Sequence, residues 1–189
     1  MNLPNKLTML RILMVPLFMI TILAPIPDVT SRIVSLIIFA LTALTDMLDG
    51  KIARKYNLIT NFGKLMDPLA DKFMVFGAML AILVKYTYLT DVFVWVTAIV
   101  IFRELAVTSI RLVAAGAKSN TVIAAAWLGK VKTVTQVICI CTILIEPVIP
   151  FAPFTEYHIL SYATMAAMVI MTVWSGVDYI VKYKDFLKD

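Results

Sequence analysis

Six long apolar stretches, each closed by proline or charge, leave this chain few possible folds. They run over about 8–25, 31–54, 62–86, 91–115, 120–146 and 156–181. Each approaches or exceeds the roughly 20 residues with which an α-helix crosses a hydrocarbon core. Pro25, Pro27 and Asp28 end the first stretch, and Lys55-Tyr56-Asn57 ends the second. Thr90-Asp91 and Gly116–Asn120 separate the later ones, and Pro147, Pro150 and Pro153 mark the last break. None alternates with the period of a membrane β-strand. In lipid every backbone polar group must be satisfied internally. The expectation is therefore an all-α integral membrane protein with six transmembrane helices. Charged residues are 15% of the chain, against about 25% in a soluble domain. The 189 residues suit one domain over 1–189.

The cations set an orientation. With a cytoplasmic amino terminus, Lys6, Arg11, Lys51, Arg54, Lys55, Lys64, Lys72, Arg103, Arg111, Lys118, Lys130, Lys132, Lys182, Lys184 and Lys188 lie toward the cytoplasmic side. Of the 17 Lys and Arg only Arg32 and Lys85 lie toward the other. This is a strong positive-inside bias. It predicts a multi-pass membrane protein whose polar active site lies at the cytoplasmic end of the bundle. The expected setting is a bacterial plasma membrane, with membrane lipids around the chain and no nucleic-acid partner, although the bias itself does not separate a bacterial from an organellar membrane. The tail lysines Lys182, Lys184 and Lys188 also suit anionic lipid. The first stretch lacks a small-residue cleavage site and is read as part of the mature chain. Cys139 and Cys141 point in different directions on one helix and are read as small fillers without a disulfide. His158 is read as an interfacial residue.

Polar chemistry concentrates between Asp46 and Asp71. Asp46, Asp49, Gly50 and Ala53 fall on one face of one helix, and Gly63, Asp67 and Asp71 on one face of the next. Facing each other, these helices would surround a small cavity with four hard oxygen ligands. Acids at a membrane boundary are costly and mark function by default. Without Cys or His beside them, they suit magnesium or manganese rather than zinc or copper. Two such ions can clamp a diphosphate during phosphoryl transfer. Gly50 and Gly63 leave room for a bulky ligand, and Ala53 does so more weakly. Arg54 offers a bidentate phosphate contact, Thr60 a nearby hydroxyl. Pro68 is expected to kink or start the second helix. Two other readings compete: pairing of the acids with Lys51, Arg54, Lys64 and Lys72, and a cation path through a transporter. The second predicts acids spread through the bilayer depth, whereas these gather at one end beside cations.

The string D-x2-D-G-x2-A-R-x8-G-x3-D-x3-D is matched at every fixed position by Asp46, Asp49, Gly50, Ala53, Arg54, Gly63, Asp67 and Asp71. It resembles the signature of the CDP-alcohol phosphotransferase family. The resemblance implies one membrane domain of that family over 1–189, commonly homodimeric. It implies transfer of a phosphatidyl or related group from a CDP-linked lipid to an alcohol, with CMP released. It further implies that Asp46, Asp49, Asp67 and Asp71 bind two divalent ions, Mg2+ or Mn2+, and that Asp71 deprotonates the acceptor hydroxyl. Asn5, Thr8, Gly50, Ala53, Arg54, Thr60 and Gly63 would then serve the CDP-lipid. Spacing alone does not separate Asp67 from Asp71 as the base.

The acceptor is read from the later helices. Arg103 and Arg111 share one face of the fourth stretch. Gly129, Lys132, Thr133 and Gln136 share one face of the fifth, with Lys130 beside it. Four cations near the acids suit an acceptor that carries its own phosphate. Glu104 and Asp178 are candidate partners for some of them. The flanks N-L-P-N-K-L-T-x2-R (Asn2 to Arg11), Arg103-Glu104 and G-K-x-K-T-x2-Q (Gly129 to Gln136) resemble the family branch whose donor is CDP-diacylglycerol and whose acceptor is glycerol 3-phosphate. Inositol phosphate is the competing acceptor.

Overall fold

A computed structural model describes residues 3–55, 60–116, 127–150 and 154–183; for 3–4, 47–55, 61, 64, 113–116 and 154–155 the description is of backbone alone. The described elements are α1 (Leu3–Leu23), α2 (Asp28–Lys55), α3 (Asn61–Lys85), α4 (Thr90–Gly116), α5 (Trp127–Ile145), the short α6 (Phe154–Tyr157) and α7 (Ile159–Tyr183). Single 3₁₀ turns sit at Thr87–Leu89 and Glu146–Val148. The long helices coincide closely with the apolar stretches. The beginning of the fifth stretch, 120–126, lies outside the described residues.

Among the described residues, five helices are long and apolar enough to cross a membrane: those holding Asn5–Leu23, Asp28–Asp46, Thr87–Leu112, Trp127–Val148 and Ile159–Tyr183. Helix α3 is of similar length, but Asp67, Asp71 and Lys72 load its first half with charge. Thr60 begins α3 from an extended backbone, and its hydroxyl accepts from the Gly63 N–H at 3.0 Å. This is an N-cap, satisfying one of the helix's orphan donors. Pro68 therefore lies inside α3 and does not start it.

Helix α1 packs along both α2 and α3, which barely touch each other. From α2 the contacts pass to α5, then α7, α4 and back to α3, closing a circuit of six helices. Phe18, Ile22, Phe39, Met79, Ile82, Phe93, Ile140, Ile143 and Met168 fill the centre. The Phe18 and Phe39 rings meet at 5.8 Å in a tilted pair. Gly77 lets α1 and α3 approach closely: a Cβ there would lie 2.6 Å from Val15 Cγ1. Outward faces remain apolar, with Leu13, Ile20, Ile37, Trp95, Phe102 and Trp174 exposed. A soluble bundle would carry polar residues there.

At the end of the bundle away from Asp46, polar groups tie helices together. Arg32 Nε donates to Asp28 Oδ2 at 2.6 Å, and its Nη1 donates to the Ile143 carbonyl at 3.1 Å. Its guanidinium lies 3.8 Å from the Tyr86 ring centre. Glu146 accepts from the Leu160 and Ser161 N–H groups at 2.7 and 2.8 Å, and so satisfies the start of α7. His158, with φ 50°, stacks on Tyr88 at 4.2 Å. Cys139 and Cys141 are free thiols.

Candidate active site

Helix α1 supplies a wall of the acid site that the facing-helix expectation did not include. Arg11 is fully buried, and its Nη1 lies 2.7 Å from Asp46 Oδ1 on α2. One turn earlier, Thr8 Oγ1 donates to Asp67 Oδ1 on α3 at 2.6 Å. A further turn back, Asn5 Oδ1 accepts from Thr60 Oγ1 at 2.9 Å. Asn5, Thr8 and Arg11 recur every three residues, so one face of α1 reaches acids on both neighbours.

Gly63 sits where three of these groups converge. A Cβ on it would lie 3.3 Å from both Asn5 Oδ1 and Thr60 Oγ1, and 3.6 Å from Asp67 Oδ2. Of the residues assigned to the CDP-lipid, the fold thus brings Asn5, Thr8, Thr60 and Gly63 together. Gly50, Ala53 and Arg54 lie on helical backbone in α2, as does the acid Asp49. Their side chains lie outside the described residues, as do those of Lys51 and Lys64. Among the described residues, no three His, Cys, Asp or Glu side chains form a ready metal-ligand group.

Asp71 connects this acid site to a second region. Its Oδ1 is buried and has no hydrogen-bond partner among the described residues. It lines a cavity of about 600 Å³ that also takes in Lys72, Arg103, Glu104, Thr108, Arg111, Gly129, Lys130, Lys132 and Thr133. All four cations read as acceptor contacts therefore border one space with the acid read as the base. Arg103 Nη1 donates to Glu104 Oε1 at 2.9 Å, and Lys132 Nζ donates to the same oxygen. Arg111 Nε donates to Tyr179 Oη at 3.2 Å and its guanidinium lies 5.3 Å from that ring's centre. Lys130 is exposed at the rim.

Several contacts differ from expectation. Asp178 is not among the residues lining the cavity and pairs with Lys182 one turn on, at 2.7 Å. Lys72 donates to Thr108 Oγ1 on α4. Arg11, read from sequence as a topology cation and as the last residue of the flank N-L-P-N-K-L-T-x2-R, is the described partner of Asp46. The signal for it was the polar stripe Asn5–Thr8–Arg11 at helical spacing on a mostly apolar helix. For Tyr179 and Thr108 the sequence carried no comparable signal.

The chain as a whole is similar to known proteins. The family profile described as CDP-alcohol phosphatidyltransferase matches residues 1–174. The chain is 41% identical to the CDP-diacylglycerol--glycerol-3-phosphate 3-phosphatidyltransferase of Bacillus subtilis (strain 168), over 99% of this chain and 97% of that protein. It is 36% identical to a probable phosphatidylglycerophosphate synthase of Mycobacterium tuberculosis, over 96% of this chain and 81% of that one. A third relative, the CDP-diacylglycerol--glycerol-3-phosphate 3-phosphatidyltransferase of Escherichia coli (strain K12), is 32% identical over 95% and 93% of the two chains. With its whole helical circuit covered by such matches, the chain belongs to the CDP-alcohol phosphatidyltransferase family.

Proposed function

We propose that this protein transfers the phosphatidyl group of CDP-diacylglycerol to the primary hydroxyl of glycerol 3-phosphate, giving phosphatidylglycerol phosphate and CMP. The observation that carries the reading is the single cavity that joins Asp71 to Arg103, Arg111, Lys130 and Lys132. An uncharged alcohol needs no such set of cations, whereas a phosphate monoester does. The names of the relatives support the same donor and acceptor.

Enzymes of this family use divalent metal ions, and the donors present fit a hard cation. They are carboxylate oxygens, and the buried Oδ1 of Asp71 has no other described partner. Asp46, Asp49, Asp67 and Asp71 would hold two such ions, Mg2+ or Mn2+. When bound, the ions supply charge neutralisation on the diphosphate and on departing CMP.

The chain's own groups do the rest. Asn5, Thr8, Gly50, Ala53, Arg54, Thr60 and Gly63 line the side that takes the CDP-lipid. Arg103, Arg111, Lys130 and Lys132 hold the acceptor phosphate and aim its hydroxyl at Asp71. Asp71 accepts the hydroxyl proton as the new oxygen–phosphorus bond forms at the phosphate bearing diacylglycerol. The bond from that phosphorus to the bridging oxygen breaks, and CMP departs with the electron pair. Six helices, α3 included, span the bilayer in this reading, and the positive-inside bias supports a cytoplasmic active site in a bacterial plasma membrane. The homodimer implied by the resemblance belongs to the same proposal.

The test is CMP release by purified protein given CDP-diacylglycerol and Mg2+ or Mn2+, with glycerol 3-phosphate, inositol phosphate and serine offered separately. Release with glycerol 3-phosphate alone is the expected result. Release with inositol phosphate instead would replace the acceptor. No release from folded protein would return the cation-transport reading.

A further inference from the structure

We propose that Glu104 is a positioning residue for the acceptor. Its carboxylate gathers Arg103 and Lys132 into the arrangement that receives the acceptor's phosphate, and Gly176 sets how far Arg103 can settle against α7. This rests on the cavity's being the acceptor pocket.

A carboxylate lining an anion pocket is unexpected, because by charge alone it repels the ligand. Its contacts give the reason for it. One oxygen, Oε1, accepts from Arg103 of its own helix and from Lys132 of α5. Arg103 and Glu104 are neighbours in sequence, so their side chains leave α4 about 100° apart, yet their ends meet at 2.9 Å. Two cations this close repel each other, and the anion between them holds both in place. Arg103 keeps donor capacity beyond this bond: its Nε is buried with no hydrogen-bond partner among the described residues. The Thr108 hydroxyl donates to the Glu104 carbonyl at 2.7 Å and accepts from Lys72, which ties the residue after Asp71 to the same turn. A Cβ on Gly176 would lie 3.1 Å from Arg103 Cγ and 3.9 Å from its Nε, so α7 passes close against the arginine. Cations ordered before the phosphate arrives spare it the cost of ordering them.

The sign of one substitution separates positioning from charge. Glu104→Gln keeps the shape and removes the negative charge. If Glu104 merely competed with phosphate, the substitution would lower the KM for glycerol 3-phosphate. The proposal expects a rise of about tenfold, of the size lost with one charge-assisted hydrogen bond. The KM for CDP-diacylglycerol should stay within about twofold, and kcat within about threefold. Inhibition by inorganic phosphate should weaken in parallel. Gly176→Ala leaves every charge in place and should raise the same KM by a smaller factor, about two- to fivefold.

The measurement is CMP release by the full chain in detergent, varying each substrate at saturation of the other. A lower acceptor KM in Glu104→Gln, or equal rises in both KM values, would overturn the proposal. Should that variant not fold, an unchanged acceptor KM in Gly176→Ala overturns it on its own. Wild-type protein that releases no CMP with glycerol 3-phosphate would overturn the acceptor reading itself, before any variant is compared.

Discussion

On one side of Asp71, carboxylates of α2 and α3 each meet a donor from α1; on the other, cations of α4 and α5 share a carboxylate. Asp46 meets Arg11 and Asp67 meets Thr8, each through its Oδ1. Arg103 and Lys132 both give a donor to Glu104 Oε1. Among the described residues, the acid side thus leaves carboxylate oxygens over for a cation. The basic side is cross-linked by its own counter-ion and keeps donors over for an anion. In both regions a contact between helices brings the partner group in: α1 gives Arg11 to Asp46 and Thr8 to Asp67, and Glu104 of α4 meets Lys132 of α5. Asp71 stands where the regions join and lines the cavity that holds the cations, which is the place the proposed base needs.

The comparison breaks most severely if divalent ions are removed. Chelation should reduce CMP release to background, and Mg2+ or Mn2+ should restore it; full activity in excess chelator would leave the acids without their proposed role. Next in size is Asp71→Asn. Loss of a positioned base typically costs about 10²–10⁴ in rate, so kcat should fall by that much while CDP-diacylglycerol still protects the protein from heat. Near-normal turnover would move the base elsewhere.

The basic side should answer differently. Lys132→Met and Arg111→Ala should each raise the KM for glycerol 3-phosphate by about 10–100-fold with little change in the donor's KM. Equal rises would dissolve the distinction between the two regions. On the acid side, Thr8→Val removes the bond to Asp67. Orienting partners of metal ligands typically contribute about tenfold or more to affinity, so the Mg2+ concentration for half-maximal activity should rise by about that factor. Smallest of all is Lys182→Ala. The Lys182–Asp178 pair is largely exposed and one turn apart on α7. Such pairs contribute about 0.5 kcal/mol or less. Melting temperature and both KM values should stay within error, and a shifted acceptor KM would extend the basic region beyond the cavity.

Much of this was legible in the chain because it is local. Helix faces follow from a 3.6-residue period, so Gly63, Asp67 and Asp71 were on one side of α3 before any neighbour was placed. The breaks at Pro25–Asp28 and Thr90-Asp91 set helix ends for the same reason. The cations Arg103 and Arg111, eight residues apart, had to share a face of α4. Motif spacing named the family, since eight fixed positions within one short segment are seldom met by chance.

The helices and the chemistry painted on each therefore follow from the order of residues alone. Which painted faces meet is a matter of packing. Nothing in the spacing told Asp46 that its described partner would be Arg11, or Asp67 that Thr8 would cross from a position 59 residues away. Nor did it distinguish Glu104, which enters the cavity, from Asp178, which stays with Lys182. Partners on separate helices are fixed by how close two backbones can come, as at Gly77 and Gly176, and that distance is a property of the packed bundle rather than of any one segment.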